Sequence, residues 1–528
     1  MEICSLADLN KVEAQIAKAF GRLKLGDVLH SLYLLRKSSP ELRPFMVAGV
    51  ALFAARFCPP SKASQLINNY DIRLLVDLSN KFYLADPIIF DKDLHDEFIE
   101  SNPVFMMLRL VSSQFPFEPG VFSEFSRPAL LFHDIPQQLK GLTDIPQFDF
   151  ENKFQAITGV SVLDFITTGF VISSASHGNF AVNQNYFKKT RNQGIKIPND
   201  QIIRAILNQL VADKTTLIKV YEKWKNKDRR FKMYDFNPLL SYPVIKPCQD
   251  KQFSTADKDF IHAPVPELVG SRISTGIFYQ MFNEYGEEFS TYFGHVFERY
   301  VGLVLQNCIT SEELLSELDI RKFYPINKGK SPDWILIDGS TAILFECKTT
   351  RFSRAAQAIA SEDAVNNSLT QVKKGLKQLT SFISACQAKI QELQKFHACI
   401  VFKPILVSLE PLHLINSTFF REHINSLLIA EGITDLNWQI LSIHELEALQ
   451  PHIAAGFSFS KVVNDLLQKT FNDVLQDLIS QTNRTFAHSF LYPKQEELYQ
   501  RLDIPDKVPA RSKKDKNAST TTPMHTDC

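Results

Sequence analysis

The sequence predicts a mixed α/β core flanked by helical regions, and three observations support this. Between about residues 285 and 410 the apolar pattern runs helix, three strands, helix, strand. Residues 1–250 and 411–502 instead carry mainly helical periodicity. The chain has 528 residues, 45% hydrophobic and 22% charged. That is the balance of a soluble globular protein, and its length implies about two to four domains. The order of elements lets helices cover both faces of a sheet.

The N-terminal region, 1–250, reads as helices with proline-bearing breaks such as "QFPFEPG" and "FSRPALLFHDIP". Its longest apolar run, "FMVAGVALFAA" from Phe45 to Ala55, falls short of the roughly 20 residues a membrane span needs. It predicts a buried core helix. The 42 phenylalanines predict aromatic core packing. From Asn185 to Lys232 there are thirteen Lys/Arg against four Asp/Glu, interleaved with Tyr221, Trp224 and Phe231. Such a stretch suits phosphate contact and base stacking, which makes Lys225, Arg229 and Arg230 candidate nucleic-acid contacts. A solvated helix face is the alternative. "DFNPLLSYPVIKP" (Asp235 to Pro247) predicts an extended connector, followed by a connecting segment over 251–284.

The core region, 285–410, opens on "EEFSTYFGHVFERYVGLVLQ", where Phe293, Phe297, Tyr300, Val301 and Val304 form one helical stripe. "IRKFYPI", "PDWILID", "TAILFECKTT" and "ACIVFKPILVSL" read as strands. Between the last two, apolar residues at 365, 369, 372, 376, 379, 383, 386, 390 and 393 predict one long helix, with Ser361 as its N-cap. Helices return over 411–502, most clearly in "SKVVNDLLQKTFNDVLQDLIS". Residues 503–528 predict a disordered basic tail.

The segment "PDWILIDGSTAILFECKTT" reads as a hairpin. With Gly339-Ser340 at its turn, facing residues sum to 679, so Asp333 opposes Glu346 on one face, about 5 Å apart between Cβ atoms. Lys348 shares that face. A turn at Asp338-Gly339 would make the carboxylates diagonal neighbours instead. Both faces are otherwise apolar, so the strands are covered on both sides and unpaired carboxylates there are costly. A divalent cation resolves the cost. Two carboxylates, the Cys347 carbonyl and waters are the hard oxygen ligands that Mg²⁺ or Mn²⁺ prefers. A buried Lys348 salt bridge is the structural alternative.

Asp333 after Pro332, with Glu346-Cys347-Lys348 behind it, resembles the PD-(D/E)xK nuclease superfamily, and the element order is similar to its restriction-endonuclease-like core. The resemblance covers 285–410. It implies a Mg²⁺- or Mn²⁺-dependent phosphodiesterase acting on nucleic acid, with DNA and endonucleolytic cutting favoured. Asp333 and Glu346 would hold the metal, and Lys348 would orient the nucleophile and steady the scissile phosphate. An acidic residue on the first core helix is implied as well, and Glu298 matches it. A second-helix contact is implied at Gln371, Lys374 or Gln378. Gly375 stands four after Gln371, so the QxxxY form of some exonucleases is absent. By analogy with prokaryotic restriction and antiviral defence effectors, the N-terminal region would bind substrate or a protein partner. The alternative class is an inactive nucleic-acid-binding or scaffold protein on the same fold.

Other chemistries find no support. Lys+Arg and Asp+Glu both total 58, so net charge names no partner. The eight cysteines include no CxxC pair, which disfavours structural zinc and suits reduced thiols in a cytoplasm. "NKGKS" lacks the first glycine of a phosphate loop. The N-terminus lacks a secretory pattern, and no membrane association is expected.

Overall fold

The computed structural model describes residues 5–504, apart from 97–103, 117–122, 249–259, 310–313 and scattered single positions. The predicted tail lies outside the described residues from 505 onward.

Four helices, Leu6–Phe20, Leu25–Ser38, Pro44–Phe57 and Asn69–Tyr83, pack around an apolar cluster of their own. Pro44–Phe57 carries the long apolar run and is buried from Val47 to Ala55, as a core helix should be. No single helix among the described residues is long and apolar enough to cross a membrane. The same cluster takes in Phe231, Met233, Leu239 and Ile245. The predicted extended connector is therefore corrected. Pro238–Leu240 is a 3₁₀ turn capped by the Asn237 side chain. Strand β2 (Val244–Lys246) pairs in parallel with β1 (Val211–Asp213). Burial of Leu239, Val244 and Ile245 outweighs the local proline signal, and Pro238 sits at the start of its turn, where its missing N–H is not needed.

A larger cluster joins residues 125–210 to one sheet face and to residues 441–502. Packing thus does not divide at residue 250. The predicted connecting segment makes two β-bridges, at Ile261 and His262, and then turns helical in Glu267–Ile273 and the start of helix α1 (Thr275–Cys308). Its first part, 251–259, lies outside the described residues. Helix α1 breaks at Gly286, whose φ of +54° and ψ of −125° only glycine adopts readily. Beyond the break the predicted stripe is fully buried, and Phe293 stacks on Phe132 at 5.5 Å between ring centroids. A polar knot ties this helix to distant chain. Glu447 accepts hydrogen bonds from Arg127 Nε (2.6 Å) and Tyr300 Oη (2.5 Å), and all three residues are buried.

The main sheet has five strands in the order β3 (Leu314–Ser316), β4 (Trp334–Asp338), β5 (Thr341–Lys348), β6 (Val401–Ser408), β7 (Gln439–Ser442). The first two pairings are antiparallel and the last two parallel. Trp334, Leu336, Ile343 and Phe345 join the cluster of α1. Ile335, Ala342 and Leu344 pack with Leu379 and Phe382 of helix α3 (Thr370–Gln387), so both faces are covered.

Several expected elements are redrawn. "IRKFYPI" is not a strand. Ser316 and Asp319 form a reciprocal capping box that starts a short helix, α2 (Glu317–Arg321), and turns follow it. The long predicted helix is interrupted at Leu369 and ends at Gln387, although its seam stays buried through Cys386. "SKVVNDLLQKTFNDVLQDLIS" is two helices, Phe459–Leu466 and Phe471–Thr482, because Thr470 caps a new start. Strand β7 rises from a stretch expected to be helical.

One contact sets the distance between α1 and the sheet. A Cβ at Gly302 would come within 2.0 Å of the Trp334 ring. Trp334 Nε1 in turn donates to the Glu298 carbonyl at 3.1 Å. Gly302→Ala is therefore expected to cost about 1–3 kcal/mol by overpacking, read as a lowered urea midpoint at unchanged slope. An unchanged midpoint would show that the helix can shift without penalty.

Candidate active site

The hairpin register is the one that brings charges together. Asp338 faces Thr341 and Trp334 faces Phe345, so facing numbers sum to 679 throughout. Gly339 has φ +61° at the first turn position, the placement a type II′ hairpin reserves for glycine. The Asp338-Gly339 turn is excluded. Asp338 instead accepts hydrogen bonds from Ser458 Oγ and the Ser460 amide. Past the end of the ladder a side chain makes the link: the Cys347 amide donates to Asp333 Oδ2 at 2.6 Å.

Glu346 is 1% exposed. Lys348 Nζ contacts its Oε1, and Gln378 Nε2 donates to its Oε2 at 2.8 Å. The same Gln378 nitrogen donates to the Ser331 carbonyl at 2.7 Å, just upstream of Asp333. Gly375, one turn before Gln378, lets the helix come close. A Cβ there would lie 2.9 Å from Leu406, 3.4 Å from Glu346 and 3.5 Å from Lys348. Gln378 is thus the second-helix residue that touches the site. Gln371 lies two turns earlier along a cleft wall, and Lys374 is exposed.

The acidic cluster differs from the expected ligand pair. Glu298, Glu317 and Asp333 can each offer an oxygen within 4.8 Å of the other two, the one such group among the described residues. Glu298 comes from α1, as the resemblance implied. Glu317 had not been anticipated. It opens α2, and its amide donates to the Asp333 carbonyl at 2.8 Å. Strand β3 explains its place: Ser316 faces Trp334, so the next residue along faces Asp333. The sequence signal was available, because the Ser316–Asp319 capping box marks where strand gives way to helix. His295 Nδ1 stands 4.0 Å from Glu298 Oε2. Glu346 was expected as a first ligand, but its oxygens are held by Lys348 and Gln378. The contact made by Cys347 is its amide, on Asp333.

Burial governs the electrostatics. It pushes the Glu298 carboxyl up to about 8, helped by the neighbouring Asp333 and Glu317 charges. It pushes Asp333 up to about 6, against the pull of Lys348 and the Cys347 amide. Glu346 is raised well above the ordinary carboxylate range, by burial first and Asp333 second. Burial alone would lower Lys348, but Glu346 and Asp333 outweigh it and hold the ammonium above its usual value. The cluster is thus an excess of carboxylates, half-buried at Glu298, Glu317 and Asp333 and buried at Glu346, set against Lys348 and against Arg321, which pairs with Glu317 at 2.5 Å. Hard oxygen donors of one sign, half-buried and close together, fit Mg²⁺ or Mn²⁺.

Lys348 also lines a cleft of about 2500 Å³ between the N-terminal helices and the C-terminal end of β5. The basic stretch reaches this cleft, yet its candidate cations are engaged. Lys225 is paired with Glu222, Arg229 with Asp235, and Arg230 with Asp228 and Asp91. Tyr221, Phe231 and Tyr234 are buried. Trp224 is exposed and lines the cleft with Lys223 and Lys227, so the stretch presents both ion-paired and cleft-facing cations. No family model, curated protein or solved structure matches this chain.

Proposed function

We propose that this protein is a metal-dependent nuclease with a PD-(D/E)xK-type centre on a restriction-endonuclease-like core, cutting a phosphodiester backbone, DNA in the first instance. The observation that carries this reading is the convergence of Glu298, Glu317, Asp333, Glu346 and Lys348 at one end of the sheet, beside an open cleft. A bound Mg²⁺ or Mn²⁺ would supply a Lewis acid and a water of lowered pKa. Asp333, Glu298 and Glu317 are the oxygen donors for it. Lys348 stays protonated near neutral pH, so its role is to orient and to stabilise phosphate charge rather than to act as a base. Gln378 and Lys348 hold Glu346 in place beside the donors. The N-terminal helical unit, with its own core, is the part suited to engage a protein partner, as in a defence effector.

The test is cleavage of DNA and RNA with Mg²⁺ or Mn²⁺ against an EDTA control. Cleavage that persists in EDTA, or none with either metal, would remove the reading. A second reading, an inactive binding module, is favoured by one observation: Glu346 is occupied by Lys348 and Gln378. Binding without cleavage would select it.

Glu298, Asp333 and Glu346 also predict a pH dependence. Their folded pKa values lie above the unfolded ones, so the metal-free protein is most stable below about pH 4 to 5 on this account. It loses that contribution as pH rises through about 6 and 8. The melting temperature of EDTA-treated protein is expected to fall between about pH 5 and pH 8.5, and Mn²⁺ at the upper end to restore it. Metal binding near pH 7 is expected to release protons, chiefly from Glu298, seen as a buffer-dependent calorimetric heat. A flat pH profile without metal response would count against the site.

A further inference from the structure

We infer that Arg351 and Arg354 form a phosphate-binding rail that leads a nucleic-acid backbone along the cleft to Lys348. The inference rests on the nuclease reading and extends it to how substrate is held. Both arginines follow β5 within six residues of Lys348 and line the same cleft. Each guanidinium is seated on aromatic rings. Arg351 lies 4.6 Å from the Phe282 centroid and 4.8 Å from those of Phe278 and Tyr279. Arg354 lies 4.0 Å from Trp224 and 4.1 Å from Phe236. A guanidinium carries five N–H donors, and contact with aromatic rings does not pair them with a carboxylate.

Among the described residues, neither arginine has a carboxylate within ion-pair distance, whereas Arg36, Arg109, Arg127, Arg229 and Arg230 all do. The acidic group nearest in effect is Glu410, which takes the Tyr279 hydroxyl at 2.7 Å and feels the Arg351 charge. After burial, the like charge of Arg351 is what depresses Arg354. Two adjacent cations without an ion-pair partner among the described residues, already set against their rings, suit a polyanion at little ordering cost. The segment behind them is anchored too: Arg109, paired with Asp86, donates to the Ile359 carbonyl at 3.1 Å.

The experiment is the salt dependence of binding, in EDTA, of fluorescently labelled DNA oligonucleotides, single-stranded and duplex. Arg351→Gln and Arg354→Gln are each expected to reduce the slope of log affinity against log salt by about 1, whatever the base sequence. Lys11→Gln, remote from the cleft, should leave it unchanged. Phenylglyoxal labelling of the wild-type protein is the second measurement and needs no variant to fold: oligonucleotide should protect Arg351 and Arg354 but not Arg22. Unchanged slopes or absent protection would overturn the rail. Equal protection by a mononucleotide would also overturn it, in favour of a simple phosphate pocket. Slopes unmoved in a protein that cleaves would refute the rail alone. Slopes lowered in a protein that never cleaves would refute the nuclease reading alone.

Discussion

Asp333→Asn is expected to reduce metal-dependent cleavage on the order of 10³-fold while the fold persists. The substitution keeps shape and an oxygen that can still accept the Cys347 amide. It removes the charge that a cation needs. Because burial lifts Asp333 to about 6, its ionised form is a liability near pH 8 in metal-free protein. The variant should therefore melt higher than wild type there in EDTA, and lose the gain from added Mn²⁺. Initial cleavage rates and circular-dichroism melts read the two effects. Cleavage within tenfold of wild type would exclude Asp333 from the machinery.

The second large effect is on folding. Lys348→Ala strips the one lysine from a carboxylate that is 1% exposed. Breaking a buried pair in this way is expected to cost about 3 kcal/mol near pH 8. Glu346 can limit the loss by taking up a proton, so the cost shrinks as pH falls toward the ordinary carboxylate range. Combining Lys348→Met with Glu346→Gln should recover most of the stability, since the pair is then neutral, but not cleavage. Urea titrations at about pH 5 and pH 8 check the sign. A pH-independent loss would mean that Lys348 acts by packing, through its apolar stem.

The hairpin was legible because a strand's period of two and a glycine at the turn fix every facing pair. Asp333, Glu346 and Lys348 could be placed on one face from that alone. Glu298 needed the resemblance, since nothing in its own helix separates it from other surface glutamates. Glu317 escaped because β3 is three residues long and too short to show alternation. The pairing of the basic stretch was legible only in part. Glu222 and Asp228 lie within it, but Asp91, which pairs with Arg230, stands 139 residues away. Arg351 and Arg354 lay just past the motif, and only their aromatic seats, drawn from 224 to 282, mark them out.

The polar knot under α1 bears on how the protein is made. Arg127 leaves the ribosome 320 residues before its acceptor Glu447. Tyr300, two residues beyond Glu298 on α1, waits for the same carboxylate. The hairpin charges are synthesised by residue 348, and Trp334 already holds the helix carrying Glu298, but the buried carboxylate under that helix arrives only when residue 447 emerges. On the nuclease reading, a nascent chain would carry the charges of the site before the last support of α1 is in place. Vectorial synthesis would then act as a delay, withholding that activity until the chain is almost finished.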